Sequence, residues 1–172
     1  MPRCKNCKEK FDAKHFNQKY CFRSACVQVW VNTAKVKNWQ KTKKEWKQEN
    51  ETVGQLMKKA QKVFNEYIRK RDKGRDCASC DTILTTEYDA GHYFSSGGHK
   101  SVTYNPLNCF GQCRKCNHFL SGNLIEYQLK IQKRIGADHL LELYAEAHKE
   151  KIYSRDELKE IIKKYKNKIN EL

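Results

Sequence analysis

Eight of the nine cysteines in this 172-residue chain fall into two quartets. Cys77-Ala78-Ser79-Cys80 and Cys113-Arg114-Lys115-Cys116 are two C-x2-C pairs with 32 residues between them. Two thiolates at that spacing grip one ion from a tight turn, and two such turns complete a tetrahedron. Four thiolates leave no coordination position for a substrate, so the expected ion is a structural zinc. Cys4-x2-Cys7 with Cys21-x4-Cys26 is a looser quartet, and a second structural zinc best accounts for four cysteines in a stretch with little core. Cys109 is left over, either a spare thiol or, as we prefer, a small buried hydrophobe. Between the second pair of turns lies Asp89-Ala90-Gly91-His92-Tyr93-Phe94. A neutral imidazole can take a proton from water near pH 7, which is one requirement for hydrolysing a phosphodiester. Another is a divalent ion to stabilise the phosphoryl oxygens and the leaving alkoxide.

A histidine at the end of a strand, an asparagine sixteen residues on, and Asn or His directly after a C-x2-C resemble the HNH nuclease motif, a ββα-metal unit. With the flanks Phe64–Asp72, His99, Gln112 and Leu120-Ser121-Gly122-Asn123, and the N-terminal cysteines with Phe11 and Tyr20, residues 3–135 resemble the phage NinG (Rap) family of recombination proteins. The resemblance implies a structure-specific endonuclease that cuts branched recombination intermediates. It makes His92 the general base and gives Asn108 the task of orienting the imidazole. Asn117 or His118 would ligate a catalytic Mg2+ or Mn2+; the motif favours Asn117 and ligand chemistry favours His118. Many HNH motifs carry a ligand directly before the base, where this chain has Gly91. Asp89 shares the strand parity of position 91 and could reach the ion if the chain bends at Ala90-Gly91. His99 is a further candidate for the ion or the scissile phosphate, with a solvated loop histidine as the equal alternative.

These residues need elements to position them. Residues 24–50 lack Gly and Pro, carry Trp30, Trp39 and Trp46, and read as a helix with Ser24 as its cap. Thr52-Val53-Gly54-Gln55 has the form of a capping box, and Leu56, Ala60, Val63, Phe64, Tyr67 and Ile68 follow at helical spacing to about Arg71. Ile83–Tyr88 and Ala90–Phe94 are strand candidates. A helix is expected from Asn117 to Ile135 with Gly136 as its stop, then another over Asp138–Lys149. Ser154-Arg155-Asp156-Glu157 opens the last helix, whose Leu158, Ile161, Ile162 and Tyr165 share one face.

The formal charge of +15 is unevenly spread: +5 over residues 1–27, +9 over 28–75, −1 over 76–122 and +2 over 123–172. Such a block points to a polyanion, most simply nucleic acid. Lys41, Lys43, Lys44, Lys47, Arg69, Lys70, Arg71 and Lys73 are the expected phosphate contacts. Trp39 and Trp46, one heptad apart, are expected to pack this helix on another, with base stacking as the weaker alternative. No apolar run approaches a membrane span, and no signal-peptide pattern follows Met1, so a cytoplasmic protein is expected.

The expected fold is α+β: a small zinc-stapled ββα-metal (HNH or treble-clef-like) core over 76–135, an N-terminal zinc knuckle over 1–27, a basic helical arm over 28–75 and a helical lobe over 136–172. The expected activity is divalent-metal-dependent cleavage of four-way junctions and D-loops. The alternatives are a non-catalytic zinc module that binds DNA or a recombination partner of phage or host, and a nicking enzyme without branch preference. Symmetric resolution needs two active sites, hence a homodimer, for which the last helix could supply the interface; packing within its own lobe is the equal alternative.

Overall fold

A computed structural model describes residues Met1–Leu172. The chain divides into two compact units, Met1–Glu51 and Thr52–Leu172. The expected arm over 28–75 is therefore not one body: its first helix belongs to one unit and its second to the other.

In the first unit Cys4, Phe11, Cys21 and Cys26 form a small buried cluster, with Ala13 and Tyr20 packed against it. Helix α1 (Ser24–Glu49) grows directly out of this cluster. Its N-cap is Arg23 rather than Ser24, and no side chain caps it. Cys26 is its one buried residue. Beyond that first turn the helix relies on its own neighbours four residues apart, such as Gln28 to Asn32 at 3.2 Å and Lys41 to Glu45 at 3.9 Å. The packing role expected of Trp39 and Trp46 is overturned, since they are 60% and 63% exposed.

The second unit opens on α2 (Val53–Arg71). Both halves of the Thr52 capping box form: the Gln55 amide donates to Thr52 Oγ1 at 3.3 Å, and the Thr52 amide to Gln55 Oε1 at 2.9 Å. Leu56, Ala60, Phe64 and Ile68 make its buried stripe. That stripe packs with Leu158 and Tyr165 of α5 (Arg155–Asn170), which begins at the Ser154 capping box. The apolar face of α5 is thus covered within its own unit.

Strands β1 (Tyr88–His92) and β2 (Cys109–Cys113) form an antiparallel pair in the register Tyr88↔Cys113, Ala90↔Gly111, His92↔Cys109. The strand expected over Ile83–Tyr88 does not form. Leu84 instead pairs locally, its amide donating to Arg75 O and its carbonyl accepting from Gly74 N, both at 2.8 Å. This buries the Leu84 side chain against the cysteines of the second quartet.

After β2 comes one wide π-helical turn, Lys115–Phe119. Ser121, Gly122 and Asn123 then adopt positive φ, which breaks the helix expected from Asn117 into two pieces. Helix α3 (Leu124–Ile135) stops at Gly136, whose φ is 83°, and α4 (Ala137–Ala147) follows. One face of the strand pair meets α2 and α5 through Ala90 and Cys109. The other meets α3 and α4 through Phe110, with Tyr127, Ile131, Leu140 and Leu143 behind it. Tyr127 ties α3 to both strands: its hydroxyl donates to Gly91 O at 2.8 Å and accepts from Phe110 N at 3.2 Å. No helix is long and apolar enough to cross a membrane.

Candidate functional site

The two cysteine quartets converge. In each, the four sulfurs lie within 4.8 Å of one another. Cys7 and Cys21 are 3.8 Å apart, and Cys80 and Cys113 3.7 Å. Zn–S bonds of ~2.3 Å in a tetrahedron put sulfurs about 3.8 Å apart, far from the ~2.05 Å of a disulfide. Backbone amides also point at the sulfurs: Cys21 N to Cys4 at 3.3 Å, and Cys113 N and Ser79 N to Cys77 at 3.3 and 3.4 Å. Burial raises the Cys4 thiol, but the amides of Cys21, Cys7 and Asn6 outweigh it and bring it down to about 6. Burial and the hydrogen bond with Cys80 push Cys116 up to about 12, so full ionisation of the quartet calls for a cation at its centre. Both quartets fit a closed, structural zinc.

The histidine-bearing strand sits beside the second quartet. Residues paired across the two strands share a face, so His92 and Cys109 point one way and Asp89 and Gln112 the other. The His92 ring lies 5.8 Å from the Phe64 ring, toward α2. Its Nε2 is 3.0 Å from Thr103 O, which fixes a protonated Nε2 and leaves Nδ1 as the basic nitrogen. Nδ1 faces the Cys109 sulfur at 3.6 Å. Burial pushes the Cys109 thiol well up, so it stays protonated and donates. Burial also lowers the His92 pKa, with the Thr103 carbonyl acting the other way, and the ring is neutral at pH 7.

Asn108 makes no hydrogen bond to the imidazole. Its amide is spent on backbone: Oδ1 accepts from Phe94 N at 2.8 Å, and Nδ2 donates to Phe94 O at 3.0 Å and Val102 O at 3.1 Å. It thereby fixes the loop whose Thr103 carbonyl holds His92, and acts on the ring at one remove.

Asp89 and His118 come together. Oδ2 and Nε2 are 2.9 Å apart, with side chains 37% and 62% exposed. Asn117 turns elsewhere and lines a cleft of about 540 Å3 together with His92, His99, Ser121 and Gln128. His99 is not a solvated loop residue: its Nδ1 sits 2.9 Å from Ala147 O and its ring packs edge-on to Phe94. A carboxylate oxygen and an imidazole nitrogen therefore meet on one face of β1, and the imidazole expected to act as base lies on the other.

Of the expected phosphate contacts, Lys41, Lys43, Lys44, Lys47, Lys70 and Lys73 are exposed and Arg69 is half-buried. Arg71 is corrected to a structural role. Its guanidinium, 16% exposed, bonds Asp72 at 2.7 and 2.8 Å, Pro106 O at 2.9 Å and Cys109 O at 2.9 Å.

The model of the family described as Bacteriophage Lambda NinG protein matches residues 1–172. The chain belongs to the NinG family. It is 34% identical to Protein ninG of Escherichia phage lambda over 116 residues, 67% of this chain and 56% of that protein. Protein ninG of Salmonella phage P22 is 34% identical over 67% of this chain and 57% of its own length, and that of Escherichia phage 933W is 33% identical over the same shares. The matched region thus spans little more than half of each NinG relative. No solved structure matches this NinG chain.

Sequence reasoning missed Thr103, and it assigned no role to Ser79 or to Gln112. Thr103 acts through its carbonyl, which no sequence pattern signals. Gln112 Nε2 donates to Ser79 Oγ at 2.6 Å and Gly122 O at 2.5 Å, tying β2 to the turn before α3.

Proposed function

We propose that this chain is a divalent-metal-dependent endonuclease with an HNH-like ββα-metal site, acting on branched DNA recombination intermediates such as four-way junctions and D-loops. The observation that carries the reading is the solvent-open Asp89–His118 pair between β1 and the turn that follows the second zinc loop. One carboxylate and one imidazole suit Mn2+, or Mg2+ that keeps most of its waters. A divalent ion held there supplies neutralisation of the phosphoryl oxygens and of the leaving 3′ oxygen. His92, neutral and held by Thr103 O, accepts a proton from water at Nδ1. The Cys109 thiol at 3.6 Å is only a weak donor to that nitrogen, so on this reading it must turn aside to admit the attacking water. His92 is the last residue of β1, and on this reading the scissile phosphate would lie across the end of that strand. Lysines of α1 and around the end of α2 hold the flanking backbone, and affinity falls steeply with salt.

A second reading is a zinc-stapled DNA-binding protein without catalysis. It is favoured by the engagement of both His92 ring nitrogens, on the opposite sheet face from Asp89. Incubating the zinc-loaded protein with labelled four-way junctions in Mg2+ or Mn2+ separates the two. Cleavage that Asp89→Asn and His118→Ala each reduce, with two zincs per chain retained, supports the nuclease. Binding without cleavage in either metal supports the second reading, and equal cleavage of linear duplex removes the branch preference.

A further inference from the structure

The unabsorbed feature of the molecule is the surface of α1. Trp39 and Trp46 differ by seven residues, which places them on one side of the helix about 10.5 Å apart along its axis. Lys35 lies four residues before Trp39 and Lys43 four after, so Lys35, Trp39, Lys43 and Trp46 form one stripe in which cation and indole alternate. Lys43 Nζ stands 4.5 Å from the centre of the Trp39 ring and helps hold that indole in one orientation. All four side chains are exposed. Fully burying a large apolar side chain gains roughly 1.5–3 kcal/mol, and the two indoles, still 60% and 63% exposed, leave most of that gain for a partner.

The charge decides which partner. Helix α1 carries six lysines against two glutamates. A second copy of the same helix would bring the same excess positive charge onto this stripe, whereas a polyanion complements it. Duplex DNA meets the lysines but offers the indoles no base face. An unpaired strand offers both, phosphates for the ammonium groups and base faces for the indoles, a combination found on surfaces that bind single strands.

We propose that the Lys35–Trp39–Lys43–Trp46 stripe of α1 binds unpaired DNA bases, stacking them on Trp39 and Trp46. This rests on the DNA-partner part of the proposed function and is independent of cleavage. It gives branch recognition a physical source, because a D-loop carries an unpaired strand and a junction crossover presents unstacked base faces, and linear duplex offers neither.

Trp30, Trp39 and Trp46 are the chain's three tryptophans, so its tryptophan fluorescence reports on α1 alone. The full chain is titrated with oligothymidine, and separately with blunt duplex, without added divalent cation, so that loss of nuclease activity leaves the result untouched. Oligothymidine is expected to quench the emission. Trp39→Ala and Trp46→Ala should each weaken oligothymidine binding about tenfold and duplex binding less than twofold. Trp39→Phe should restore part of the loss, and circular dichroism verifies that α1 persists in each variant. Equal losses on both DNAs, or binding without quenching, would overturn the proposal. So would sedimentation showing that the wild type self-associates and the double variant does not, since the stripe would then be a protein interface.

Discussion

A side-chain carbon placed on Gly91 would lie 2.1 Å from Gln112 Oε1. Gln112 is buried, and its amide nitrogen is already committed to Ser79 and Gly122. The glycine before His92 is therefore required by packing: the space a ligand side chain would occupy is filled from β2. The Asp89 carboxylate is supplied on the same strand face two residues earlier.

Gly91→Ala should cost about 1–3 kcal/mol through overpacking. Gln112→Ala should also destabilise, but in its background the added methyl should cost far less. A denaturant-melt double-mutant cycle reads the coupling, expected at about 0.5–3 kcal/mol. Additive effects would show that the two side chains do not compete for this space.

Arg71→Ala should cost about 3–5 kcal/mol of stability, because it strands the fully buried Asp72 carboxylate. Once folded, the variant should bind DNA with an unchanged salt dependence. Lys73→Ala should do the opposite, leaving the melting temperature within a degree or two and lowering the slope of log affinity against log salt by about one. A reversal of this pattern would return Arg71 to the DNA surface.

Burial depresses the His92 pKa in the folded state. The unfolded chain therefore binds the proton more readily. The stability linked to this group is complete above the unfolded value of about 6.5 and is lost as pH falls through the lower folded value. His92→Gln should flatten the decline in stability below pH 6.5, measured by urea unfolding at stepped pH. Under the nuclease reading, His92→Ala should also cost about 10²–10⁴ in cleavage rate with zinc content unchanged. Wild-type cleavage by that variant would remove His92 from the chemistry.

Stripping the first quartet of metal, or replacing Cys26 by Ser, should melt much of α1, because Cys26 is its one buried residue. The helical circular dichroism signal should fall by up to the share of 26 residues, and zinc should drop from two per chain to one. The second unit's melting transition should not move. An unchanged helical signal would mean that α1 sustains itself.

Both cysteine clusters were legible in spacing, since closely spaced cysteine pairs encode a local turn. The capping boxes at Thr52 and Ser154 were equally local and formed as expected. What sequence could not supply was tertiary. The strand expected from the β-branched run at Ile83–Tyr88 lost to the burial of Leu84 beside the cysteines. Arg71 looked like one more surface cation until Asp72 and two carbonyls closed on it. That His118 and not Asn117 pairs with Asp89 was equally tertiary, since the wide turn at Lys115–Phe119 decides which side chain faces that carboxylate.

In α1, Cys26 lies twenty residues before Trp46, about 30 Å along the helix axis. That is close to one turn of B-form duplex, roughly 34 Å. A rod anchored through its buried cysteine at one end and carrying exposed indoles toward the other works as a cantilever. An ion in the first quartet would then set the direction in which those indoles point from the cysteine cluster, and a change at Cys26 would be felt most at the far tip of the helix.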